Sequence, residues 1–284
     1  MQADHSFSLH HTEVGKGNAD NKCFVLHGVL GSGQNFRSLA KRLSQSAPAW
    51  QFVLVDLRLH GQSQGAPAPH TLEACADDLE RLAQELGAPK AVMGHSFGGK
   101  VALSYAARAP ARLEQTWVLD SDPGAGMPGE DHDVSRVIRA LLPLPDRYAS
   151  REAFVERLTA QGIGLATARW LSQNLVREQD TYRWRLNLDA IGTLLSDYFT
   201  RDLWHVLESP PAGQTLHLVI AEASQRLDRA ARQRLGEISK SGRVAVHVVP
   251  NAGHWLHVDN PEGLLAILEP HFGDSHASDA GAAR

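Results

Sequence analysis

Six short runs of continuously apolar residues punctuate the chain: CFVLH (23–27), FVLVD (52–56), KAVMG (90–94), TWVLD (116–120), LHLVIA (216–221) and VAVHVV (244–249). A strand with one face in water alternates apolar and polar residues. A run that is apolar at every position is buried on both faces, as in a parallel sheet covered by helices on each side. Helix-period segments separate these runs. In TLEACADDLERLAQEL (71–86) the apolar positions Leu72, Cys75, Ala76, Leu79, Leu82, Ala83 and Leu86 form one stripe. Thr71 is placed to cap that helix and Gly87 to end it. Residues 97–109 and 260–270 read similarly. Strand–helix alternation predicts an α/β fold, a doubly wound and mostly parallel sheet with right-handed crossovers.

The alternation breaks between about residues 122 and 210. DPGAGMPGE (122–130) is a Gly/Pro-rich joint and ESPPAGQ (208–214) is a second. The residues between them read as helical, with no strand. The stretch 186–207 places Leu188, Ile191, Leu195, Tyr198, Phe199, Leu203 and Val206 on one face. This organisation predicts a core of residues 1–122 and 211–272, an inserted helical lid over 123–210, and a flexible, small and polar tail over 273–284. A chain of 284 residues is long enough for one large α/β domain with such an insertion.

Bulk properties exclude several classes. A net charge of −4 and the absence of a basic stripe argue against nucleic acid. No apolar run approaches the ~20 residues needed to span a bilayer, and the polar start MQADHSFSLHH is not a secretory signal. Cys23 and Cys75 have neither metal-ligand nor redox spacing and read as buried reduced thiols. The expectation is a cytoplasmic protein, a monomer or homodimer, with a small-molecule partner.

The stretch VMGHSFGGKVAL (92–103) carries two overlapping motifs. Gly94-His95-Ser96-Phe97-Gly98 is G-x-S-x-G, a turn that presents a nucleophilic serine. Gly94 to Lys100 is also G-x-x-x-x-G-K, most of a phosphate-cradling loop. A phosphate loop needs Ser or Thr after the lysine to hold Mg²⁺, and Val101 stands there. The serine reading gains support elsewhere. His27-Gly28 followed by Val29 is a strand-end loop able to supply one oxyanion N–H, with Phe97 as the second donor. Gly253-His254 follows the last strand, at the carboxyl edge of the sheet, where doubly wound proteins place their sites. His217 and His247 fall inside strands and read as core or sheet-surface residues. His254 and His257 form an H-x-x-H pair with no accompanying ligand set, so neither a metal nor a cofactor is expected.

Together, His27-Gly28, Asp56-Leu57-Arg58-Leu59-His60-Gly61-Gln62-Ser63, Gly94-His95-Ser96-Phe97-Gly98-Gly99 and Gly253-His254 resemble the α/β-hydrolase superfamily, over about residues 5–272. The combination looks most like a group of small bacterial and mitochondrial acyl-esterases. The resemblance implies Ser96 as nucleophile, His254 as base, and a lid that shapes an acyl pocket. It implies a cofactor-free serine hydrolase acting on a carboxylic ester or thioester through an acyl-enzyme. C–C bond hydrolases, triad-dependent lyases and non-catalytic ligand-binding proteins on the same fold remain alternatives. The carboxylate is where this chain departs from the common pattern. After the next-to-last strand, Ser224 stands where many members have aspartate, with Glu222 two residues earlier. Asp120, at the end of the preceding strand, is favoured as the acid, with Glu222 as the alternative.

Overall fold

The computed structural model describes residues 7–16, 21–127 and 133–273. In chain order the elements are β1 (His11–Gly15), β2 (Asn21–Leu26), α1 (Arg37–Ser46), β3 (Trp50–Val55), α2 (Leu72–Leu86), β4 (Ala91–His95), α3 (Phe97–Ala107), β5 (Gln115–Leu119) and α4 (Asp133–Leu141). There follow β6 (Arg147–Tyr148), α5 (Arg151–Ala160), α6 (Leu165–Leu171), β7 (Leu175–Glu178), β8 (Thr181–Trp184), α7 (Leu188–Thr200) and α8 (Trp204–Glu208). The chain ends with β9 (Thr215–Ala221), α9 (Arg229–Ile238), β10 (Val244–Val249), α10 (Leu256–Asp259) and α11 (Pro261–Phe272).

Seven strands form the main sheet in the order β1-β3-β2-β4-β5-β9-β10. All neighbours are parallel except β1 against β3. The six apolar runs are its parallel strands, and successive residues serve two cores. Cys23 and Val25 of β2 pack with Leu39 and Leu43 of α1 and Leu264 and Leu268 of α11. Phe24 and Leu26, one residue out of phase, pack with Leu79 of α2 and Val101 of α3. A strand that buries both faces cannot carry a polar alternation, which is why these runs stood out. Strand β1, HTEVG, was not legible in this way: it is an edge strand with one neighbour and a mixed, half-exposed pattern.

The helix caps follow the sequence. The Thr71 side chain accepts from the Ala74 N–H at 3.1 Å. Gly87 terminates α2 at φ 90°, a conformation that favours glycine. Asn260 caps α11 by accepting from Gly263 N–H at 2.8 Å, with Pro261 as first helical residue. Cys23 and Cys75 are free and buried, and burial raises both thiols above their ordinary pKa.

Between β5 and β9 the chain leaves the main sheet. This excursion is not wholly helical, as the sequence led us to expect. It holds α4 to α8 and also a three-stranded antiparallel sheet in the order β6-β8-β7. The strands are only two to four residues long. Arginines and glutamate interrupt their apolar pattern, so no buried-strand run betrays them. The stretch 186–207 is likewise two helices, broken at residues 201–203. Residues 128–130 of the first joint, residues 131–132 after it and 274–284 of the expected tail lie outside the described residues.

The loop after β3 is braced from within. Arg58 Nε and Nη2 donate to the two Asp78 oxygens at 2.7 and 3.2 Å, and Nη1 donates to the Pro67 and Pro69 carbonyls. Arg58 is 3% exposed and Asp78 2%. Removing one partner of such a pair strands the other charge in the interior. Asp78→Ala is expected to lower stability by about 3 kcal/mol, read as a shift in the urea midpoint at constant slope.

Candidate active site

Strand order reverses between β2 and β4: the chain passes from β2 outward to β3, then returns to place β4 on the other side of β2. Open α/β sheets bind ligands in the crevice outside the carboxyl ends at such a point. The loop after β2 carries His27, Gly28 and Val29, and the turn after β4 carries Ser96.

Ser96 is the residue before α3, held at φ 52° and ψ −117°. A non-glycine residue here is strained, and the surroundings over-determine it. A Cβ on Gly94 would lie 1.9 Å from the Gly98 carbonyl oxygen. A Cβ on Gly98 would meet the His27 carbonyl oxygen at 2.6 Å, and one on Gly99 would meet Ser121 Cβ at 2.6 Å. Strand, turn and helix are thus in backbone contact at Gly94 and Gly98, and Gly99 makes room for the Ser121 side chain. Ser96 N–H donates to the Leu119 carbonyl at 2.9 Å, pinning the turn to β5.

The structure brings together three residues from three loops. His254 Nε2 lies 3.1 Å from Ser96 Oγ. His254 Nδ1 lies 2.7 Å from Asp120 Oδ2. Asp120 sits at φ 46° just beyond β5, and its side chain is fully buried. Its carboxylate also accepts from Ser224 Oγ at 2.6 Å and from Ala221 N–H at 3.1 Å. Ser224, standing after the next-to-last strand, therefore donates to Asp120. Glu222 lies elsewhere: it is exposed, and its carboxylate accepts from Asn251 N–H at 2.9 Å.

Two further histidines shape the site. His27 Nδ1–H donates to the Gly28 carbonyl at 2.7 Å, and its Nε2 accepts from Leu57 N–H at 3.0 Å. That pair of contacts fixes one neutral tautomer, and burial holds the ring below its ordinary pKa. The ring thereby orients the loop that carries Val29. Gly28 lies against the turn, since a Cβ there would come within 3.5 Å of Ser96 Cβ. Phe97 is the first residue of α3, so its N–H stands outside the helical ladder. His95 is the variable residue of G-x-S-x-G, a position the motif leaves open. Its Nε2–H donates to the His254 carbonyl at 2.7 Å, so the turn holds the backbone of the histidine as well as presenting the serine. Burial holds His95 well below its ordinary pKa, with His254 and His257 adding to the effect. His257 stacks on Phe36, ring centroids 4.4 Å apart.

Two cavities meet at Ser96, His254 and Val29. The larger, about 600 Å³, extends over Lys100, Asp122, Tyr198 and Phe199. The smaller, about 230 Å³, is walled by Leu30, Val137, Ile163, Trp170 and Trp255. Of the excursion's aromatic residues, Tyr198, Phe199 and Trp170 line these spaces, while Trp184 stacks on Phe154 within the excursion itself.

Two polar clips tie the excursion to the site. Lys100 Nζ donates to the carbonyls of Gly124, Tyr198 and Arg201 at 2.6, 2.9 and 2.9 Å. Burial lowers its pKa to about 8, so it stays charged at neutral pH. Three acceptors match the three N–H groups of an ammonium. This is the lysine of the phosphate-loop motif, and it closes a joint between α3 and the excursion. Asn174 Nδ2 donates to the Leu30 carbonyl at 2.8 Å, beside Val29.

The chain belongs to the α/β-hydrolase family: the model for the alpha/beta hydrolase fold matches residues 24–261. It is 30% identical over 246 residues to the sn-1-specific diacylglycerol lipase ABHD11 of Mus musculus, covering 84% of this chain and 77% of that protein. It is 32% identical over 264 residues to Lipase LipV of Mycobacterium tuberculosis, covering 89% and 93%. Among solved structures, a marine microorganism esterase superposes with a TM-score of 0.79 at 24% identity, over 92% of this chain and 98% of that one.

Lys100→Met keeps the stem and removes the three hydrogen bonds. It is expected to cost about 3 kcal/mol, because buried carbonyls lose a charged donor. Thermal unfolding and proteolysis between residues 123 and 210 measure this, with cleavage there accelerated relative to the core.

Proposed function

We propose that this α/β-hydrolase is a serine hydrolase that cleaves a carboxylic ester or thioester through an acyl-enzyme, without a cofactor. The observation that carries the reading is the unbroken line of contacts Ser96 Oγ, His254, Asp120, with the serine on a strained turn. His254 Nε2 takes the Ser96 proton as Oγ attacks the substrate carbonyl. Asp120 accepts from Nδ1–H and stabilises the imidazolium that forms. The N–H groups of Val29 and Phe97 receive the negative oxygen of the tetrahedral intermediate. The C–O or C–S bond to the leaving group then breaks, and His254 returns the proton to it. Water, deprotonated by His254, attacks the acyl-serine and releases the acid.

The two cavities support an assignment of substrate parts. The smaller has an aliphatic and indole wall of Leu30, Val137, Ile163, Trp170 and Trp255, with Asp133, Arg136 and Arg226 also lining it; that wall suits an acyl chain, because burial of CH₂ groups contributes about 0.8 kcal/mol each. The larger, with Asp122 and Lys100 in its wall, suits a more polar leaving group. The excursion over residues 123–210 acts as the lid on both. The names of the ABHD11 and LipV relatives support a lipid-like ester as the substrate class.

Ser96→Ala is expected to lower kcat on a short aryl ester by about 10⁶-fold and to abolish labelling by a fluorophosphonate probe. Turnover near the wild-type rate in that variant would overturn the reading.

The carboxylate has its own test. Asp120→Asn is expected to lower kcat by about 10⁴-fold through the wrong imidazole tautomer, with folding intact. Ser224→Ala should cost about tenfold, the loss of one charge-assisted hydrogen bond to the acid. Glu222→Gln should leave kcat unchanged, since that carboxylate only caps a loop N–H. Inactivity of Glu222→Gln beside a healthy Asp120→Asn would assign the acid to Glu222 instead.

A further inference from the structure

Three histidines outside the site come together on one face of the main sheet. His217 of β9 is in register with Trp117 of β5, and the two rings stack 3.8 Å apart with planes 8° from parallel. His217 is also in register with Ala245 of β10, so His247, two residues on, is its diagonal neighbour on the same face. His217 Nδ1 and His247 Nε2 are 3.2 Å apart. From the last turn of α11, His271 completes the group, its ring centroid 4.6 Å from that of His217 and 5.9 Å from that of His247. The end of that helix is pinned, because Gln115 Nε2 donates to the His271 carbonyl at 3.2 Å.

One ring nitrogen of each histidine lies within 4.8 Å of the other two. Burial grades from His217, buried, through His247, half-buried, to His271, exposed, which leaves a route for an ion from solvent. Burial also lowers all three pKa values, that of His217 to about 3, so each ring presents a neutral lone pair at pH 7. A hydrogen bond between two imidazoles accounts for the closest pair and leaves the convergence of the third unexplained.

We propose that His217, His247 and His271 bind a divalent first-row transition ion of the zinc class, with a water molecule in the fourth position. Zn–N bonds of ~2.0–2.1 Å set tetrahedral N···N edges of about 3.4 Å. The His217–His247 pair already stands at 3.2 Å, and rotation of the exposed His271 side chain draws in the third. Three N-to-metal bonds form and waters of the hydrated ion leave. The proton shared by His217 and His247 moves to the other nitrogen of its own ring, so the histidines themselves release none.

The ion would fasten the last turn of α11 to β9 and β10. The segment that carries His254 runs between β10 and α11 and would then be held at both ends. His217 is the third residue of β9, toward the amino end of the strands and away from Ser96, so the ion would take no part in ester cleavage.

The test uses the full chain stripped of metal and titrated calorimetrically with zinc chloride alone. Expected are one equivalent bound and the d–d bands of four-coordinate cobalt when Co²⁺ replaces zinc. His247→Ala and His271→Ala should each weaken binding at least tenfold and leave ester turnover unchanged. Should either alanine variant lose its native circular dichroism, His271→Asn makes the same measurement with a smaller change. Absence of stoichiometric zinc uptake, or uptake unaffected by these substitutions, would overturn the proposal and leave the three rings as packing.

Discussion

The backbones of β4 and α3 approach so closely at Ser96 that one methyl group would part them. Gly94 and Gly98 touch through main-chain atoms, and Gly98 in turn meets the carbonyls of Leu26 and His27. Three consequences descend from that contact. The serine is forced to φ 52°, its hydroxyl is lifted clear of the sheet, and the first N–H of α3 is brought beside the loop after β2. The strain at one residue, of order 1–3 kcal/mol, is sustained because β2, β4 and β5 each hold a different part of the turn.

The position of Asp120 at the end of β5 has a physical consequence. β5 is the immediate neighbour of β4, so Asp120 arrives beside the turn on a rigid strand end, with its own N–H bonded to Val219 of β9. The loop after β9 carries Ser224, whose hydroxyl is bonded to Asp120. The carboxylate therefore receives His254, Ser224 and the Ala221 N–H together. A fully buried charge needs that number of donors, since each unmade bond would cost about 1–3 kcal/mol.

Much of this was legible in the sequence, for identifiable reasons. Parallel strands buried on both faces leave continuous apolar runs, and the capping residues Thr71 and Asn260 act within one helical turn, so both signals are local. The glycines at 94 and 98 mark backbone proximity directly. What the sequence hid is long-range or one-sided. Edge strand β1 and the short strands β6 to β8 bury too little to impose a pattern. Lys100 looked like part of a nucleotide loop because its true partners, three carbonyls, carry no side-chain signature. His95 was overlooked for the same reason: its acceptor is a main-chain oxygen 159 positions away. The meeting of His217, His247 and His271 depends on strand order and on the angle of a helix, which no spacing rule encodes.

The histidines around the cleft divide their tasks through burial. His27, His60, His95 and His257 are all buried and held below their ordinary pKa chiefly by the loss of water, His60 to about 3 and His257 to about 4. Neutral rings serve as oriented hydrogen-bonding struts: His27 for the loop of Val29, His95 for the backbone of His254. They add no positive charge that would compete for Asp120. His254 alone in this group has one nitrogen on a carboxylate and the other on a hydroxyl, with its side chain 17% exposed. That geometry, rather than any special property of the ring, sets His254 apart from its neighbours.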